Sequence, residues 1–146
     1  METKTERISL WRIFKIFIVL LGVLIIGTAL FLSFKIRRNA KISLREAKNV
    51  YLALNTTDIE YYASGKCIYD PTRPYGLSEG VANEVKRLVD NEGAYRILSY
   101  DKATRQITGF CYWNDGYQVN YSNYDGNSVW EVSYFFRLYR MDGKGK

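Results

Sequence analysis

Few residues in this chain could do chemistry. Its 146 residues include no histidine. That removes Ser-His-Asp and Cys-His nucleophile pairs and every His-ligated metal site. Cys67 and Cys111 are the only cysteines, too few for a structural zinc site. They are a candidate disulfide, expected to tie the loop after a helix to a strand. A bridge over that separation is worth about 4 kcal/mol in loop-entropy models, and only in an oxidising compartment. Asp58 with Glu60, or Asp115 with Asp125, are the carboxylates that could be paired for acid–base work. Turn and surface positions account for them without catalysis. The expectation is therefore no catalytic residue, no cofactor and no metal: not an enzyme.

The other chemistry-bearing residues are cations. Residues 1–48 carry a net charge of about +7 and residues 49–146 about −1, so the overall +6 is concentrated around one apolar run. Arg12, Lys15, Lys35, Arg37, Arg38 and Lys41 flank that run and are expected to contact lipid headgroups, at about 1 kcal/mol per cation near an anionic surface. Trp11 and Phe14 beside them suit the membrane interface. A nucleic-acid-binding domain would need its basic patch on the folded part, so membrane lipids are the expected partners and nucleic acid is not.

The element that positions these cations is the uncharged stretch Ile16–Phe34, IFIVLLGVLIIGTALFLSF. As a helix it spans about 28 Å, close to the roughly 30 Å hydrocarbon core of a bilayer. A helix bonds all its own backbone amides, as a lipid environment demands. The run is longer than a signal-peptide core and lacks an A-x-A-like exit, so an uncleaved anchor is expected. Counting flanking cations alone would place the C-terminal part in the cytoplasm. The near-neutral, Tyr- and Asn-rich content of residues 49–146 and the two cysteines favour the outside. We expect the N-terminus in the cytoplasm and the C-terminal domain extracytoplasmic.

Residues 1–15 read as an N-terminal tail and 16–34 as the transmembrane helix. Residues 35–64 read as a continuing amphipathic helix, with Leu44, Ala47, Tyr51 and Leu54 on one face and Gly65 as its stop. Asn55-Thr56-Thr57 could break it in two. Residues 65–140 form the domain core, packed with 43–64. Within it, residues 65–77 are a loop and 78–91 a short helix capped by Ser78. Four strands follow, Tyr95–Tyr100, Gln106–Trp113, Tyr117–Tyr121 and Val129–Tyr139. Asp101–Thr104, Asn114-Asp115-Gly116 and Asn123–Asn127 are the turns. Period-two alternation places Ile107, Gly109, Cys111 and Trp113 on one face of the second strand. Residues 141–146 are a frayed tail. The fold class is α+β: a long helix, a short helix and a four-stranded antiparallel meander packed on the long helix.

This plan resembles type IV pilins and pseudopilins. AKNVYLALNTTDIEYYASGK looks like the start of the globular half in pilin-like proteins of Gram-positive bacteria. AYRILSYDKATRQITGFCYWNDGYQVNYSNYDGNSVWEVSY looks like their strand-turn-strand end. No residue here matches the prepilin leader Gly or the Glu four residues into the apolar run. The resemblance thus implies a pilin-like protein that stays in the bilayer, a structural or accessory subunit of an envelope assembly. Its partners would be other pilin-like or envelope proteins. The alternative is a membrane-anchored binding module whose exposed aromatics hold a glycan or peptide.

Overall fold

The computed structural model describes residues 3–90, 92–124 and 126–135. The chain divides into two compact units, Met1–Asn39 and Ala40–Lys146. One helix, α1 (Thr3–Ala63), runs through the boundary without interruption.

In the first unit every large apolar side chain from Leu10 to Phe34 is exposed. Each would normally gain on the order of 1.5–3 kcal/mol by leaving water. Among the described residues this is the one helix long and apolar enough to cross a membrane, by length and composition. Inside the run the Thr28 hydroxyl donates back to the carbonyls of Leu24 and Ile25, at 3.0 and 2.9 Å. Its polar group is thereby satisfied within the helix.

The second unit is α+β. Residues 40–63 of α1 bury Ser43, Ala47, Val50, Leu54 and Thr57, an i, i+4, i+7, i+11, i+14 stripe that follows the 3.6-residue period. The Asn55-Thr56-Thr57 segment does not break the helix. Both threonine hydroxyls fold back onto the carbonyls four residues earlier, Leu52 and Ala53. The helix ends where its sequence ends it. Gly65 takes φ +68, Gly65 N–H donates to the Tyr62 carbonyl and Lys66 N–H to that of Tyr61. This is a Schellman cap, and it needs a left-handed residue at that place.

A loop then leads through a 3-10 turn, Pro74–Gly76, to α2, Val81–Leu88. This helix is shorter than its sequence suggests. Gly80 in the left-handed region is its N-cap, with no side-chain cap, and the Ser78 N–H instead donates to the Ile68 carbonyl. Four strands follow: β1 (Ala94–Asp101), β2 (Gln106–Asn114), β3 (Tyr117–Tyr124) and β4 (Asn127–Tyr134). They pair antiparallel in the order β1-β2-β3-β4. Asp115 and Gly116 both take positive φ between paired Asn114 and Tyr117, as a tight hairpin turn requires. The β3–β4 turn is tighter than expected, since pairing continues to Tyr124 opposite Asn127. The part of the last strand expected beyond Phe135, and the tail 141–146, lie outside the described residues.

Two cross-strand rows build the inner face of the sheet, Ile97–Phe110–Tyr121–Trp130 and Tyr95–Tyr112–Val119–Val132. They share one core with Ala47, Val50 and Leu54 of α1 and with Ile68, Val81 and Val85. The simple alternation expected for β2 does not hold. The β1–β2 register shifts on either side of Ser99, so the core-facing residues of β2 are Ile107, Phe110 and Tyr112. Ile107 does not share a face with Cys111. Gly109 sits at the irregularity, where a Cβ would lie 2.5 Å from the Ser99 hydroxyl.

Candidate functional site

Two carboxylates of α1 are drawn into the second unit, and each organises a polar cluster. The tighter is at Asp58, which is buried one turn before the helix end. Arg105, in the β1–β2 turn at φ 55, places Nη2 2.6 Å from Asp58 Oδ1 and 3.2 Å from the Asp58 carbonyl. The same nitrogen donates to the Lys66 carbonyl at 3.4 Å. The last turn of α1 contains no basic residue, so a guanidinium from another element supplies the positive charge that a helix C-terminus favours. Its plane also lies 4.5 Å from the centre of the Tyr62 ring. The Tyr100 hydroxyl faces both Asp58 carboxylate oxygens, at 2.9 and 3.1 Å. Burial first, then this carboxylate, push the Tyr100 phenol well above its ordinary value.

The second cluster is at Glu46, whose Oε2 accepts from the Tyr112 hydroxyl at 3.0 Å and from Asn114 Nδ2 at 3.1 Å. Burial and then Glu46 raise the Tyr112 phenol too. Between the two clusters Tyr51 of α1 meets the sheet. Its ring centre lies 4.7 Å from Tyr121, 5.5 Å from Trp130 and 5.9 Å from Phe110. Tyr51 donates to the Tyr121 hydroxyl at 3.3 Å. Burial, followed by this neighbour, pushes the Tyr121 phenol up to about 12. Lys48 lies over the Trp130 ring at 5.6 Å.

Both clusters fasten strands to a helix, and neither presents a nucleophile beside a base. Among the described residues no three His, Cys, Asp or Glu side chains group to hold a metal ion. Asp58 and Glu60 do not act as a pair: Asp58 is buried and bonded, Glu60 exposed. Asp115 is an exposed turn residue, and Asp125 lies outside the described residues.

Cys67 and Cys111 are both free thiols in this structure. Cys111 is buried and sits in β2 between the core residues Phe110 and Tyr112, outside their cluster. Its burial raises the thiol, with Gln118 pulling the other way. Cys67 is half-buried and borders an open groove with Tyr61, Lys66, Tyr69, Ser78 and Lys102. Tyr69 stacks on Tyr100 at 5.8 Å, so the groove adjoins the Asp58 cluster.

The six expected headgroup cations, Arg12, Lys15, Lys35, Arg37, Arg38 and Lys41, are all exposed on α1. Lys15 sits 5.4 Å from the Trp11 ring centre, and Trp11 stacks on Phe14 at 6.2 Å. Sequence reasoning missed the partners of Asp58 and Glu46. The available signal was an acid four residues after Leu54 on the buried stripe, a position where an unpaired charge is not tolerated. No protein-family model matches the chain, and neither a curated protein nor a solved structure is similar to it.

Proposed function

We propose that the chain is a non-enzymatic, single-pass membrane protein. Residues 16–34 of α1 cross the bilayer, the N-terminus is cytoplasmic, and the second unit is a pilin-like extracytoplasmic domain. Its role is that of a structural or accessory subunit of an envelope assembly. One observation carries this reading. A helix whose apolar side chains are all exposed from Leu10 to Phe34 continues unbroken into a stripe that completes a domain core. The exposed stretch asks for lipid, and the buried stretch makes anchor and domain covalently one element. The polar clusters at Asp58 and Glu46 support a structural role, because their groups are spent on each other. Gentle detergent extraction and affinity purification of the full chain test the reading. Recovery with membrane or motor components of an envelope assembly is the expected result, and recovery alone would count against it.

The groove between Tyr69 and Lys102 favours a second reading, a membrane-anchored binding module for a glycan or peptide. Aromatic rings and exposed ammonium groups side by side suit such ligands. Binding of cell-wall fragments by the purified chain, lost on Tyr69→Ala, would favour it over the first.

A further inference from the structure

The two edges of the sheet are treated differently. β1 carries two register shifts and is covered by the 3-10 turn, where a Cβ on Gly76 would lie 2.5 Å from the Ile97 carbonyl oxygen. Bulges and coverage are how folds blunt an exposed edge. β4 has neither. Its register against β3 is unbroken from Tyr117–Tyr134 to Tyr124–Asn127. Among the described elements it pairs with β3 alone, and α1 meets it at Trp130, through Tyr51 and Lys48. It contains no Lys, Arg or Pro, and its one charge is Glu131.

The ladder fixes which groups are open. The Phe135 N–H donates to the Gly116 carbonyl at 2.7 Å. Bonding alternates along an antiparallel pair, so the odd-numbered residues of β4 turn their N–H and C=O toward β3. Ser128, Trp130, Val132 and Tyr134 turn theirs outward. The two inner rows of the core end at this edge on half-buried Trp130 and Val132.

We propose that β4 is a strand-acceptor edge, completed by an extended segment of a partner protein. That segment has apolar residues at alternate positions, continuing the rows beyond Trp130 and Val132, and a cation opposite Glu131. A second copy of β4 is the poorer occupant because residues 127–134 contain no cation to offer. The inference rests on the reading above only for the partner's being a protein; it adds what that partner contributes. Main-chain bonds would supply affinity and the alternate side chains selectivity.

The test uses the full chain in detergent micelles and a short blocked peptide alternating valine with threonine and lysine. Amide hydrogen exchange at Trp130 and Val132 should slow by about tenfold or more at saturation. The same peptide with proline for its central valine should leave exchange unchanged. Val132→Pro removes an outward donor while sparing the bonds to β3, and should weaken peptide binding at least about tenfold. Glu131→Lys should reverse the preference, toward a peptide with glutamate in place of lysine. No slowing, or equal binding by both variants, would overturn the proposal. So would protection of β4 that rises with protein concentration in the absence of peptide, which would make a second copy the occupant. Loss of co-purifying partners with peptide binding intact would instead reject the assembly role and leave the acceptor edge standing.

Discussion

At the residue scale the second unit is fastened by polar groups that reach across its elements. Arg105 is the most connected, joining Asp58, the Lys66 carbonyl and the Tyr62 face. Arg105→Ala leaves the Asp58 carboxylate buried with only the Tyr100 hydroxyl, and should lower the urea midpoint of unfolding by more than Tyr100→Phe does. Tyr100→Phe, which keeps the ion pair, should cost about 1 kcal/mol. The tyrosines also set an alkaline limit. Burial and neighbouring groups raise the phenols of Tyr100, Tyr112 and Tyr121 in the folded state. The folded state therefore holds protons that the unfolded chain releases. The stability tied to Tyr121 is present in full below its ordinary value of 10 and is lost as pH rises toward about 12. The melting temperature should fall over that interval, and Tyr121→Phe should make the fall shallower.

At the element scale α1 and the sheet share one core. Leu54 is fully buried at their junction, whereas Leu52, on the same helix, is 61% exposed. Leu54→Ala should cost about 2–5 kcal/mol, and Leu52→Ala less than about 0.5. Equal effects would mean that helix and sheet do not form one core. Much of this level was legible in the sequence. Leu44, Ala47, Tyr51 and Leu54 mark the packed face of α1, Gly65 its end, and Asn114-Asp115-Gly116 the hairpin. Those signals are local, set by periodicity and by residues suited to positive φ. What alternation could not yield was the inner face of β2. A register shift is a property of two strands at once, and nothing within GFCYW marks it. For the same reason Asp58 read as a surface acid: its partners lie 42 and 47 positions away. Ser78 read as a cap because the competing bond to Ile68 is also tertiary.

At the scale of the whole molecule, the first unit exposes its large apolar side chains from Leu10 to Phe34 and the second builds a buried core. The exposed stretch is long and apolar enough to cross a membrane, and composition alone makes that readable, since a long uncharged run between cations needs no partner residue to be recognised. The proposed side of the membrane goes against the count of flanking cations, and the rest of the proposed function depends on it. Labelling with a maleimide that cannot cross membranes tests it directly. Ser128 is exposed on β4, and Ser128→Cys in a Cys67→Ser background offers one accessible thiol while Cys111 stays buried. Intact cells should label at Cys-substituted position 128 as fully as lysed ones. Labelling that appears only after lysis would place the second unit in the cytoplasm and contradict the extracytoplasmic role.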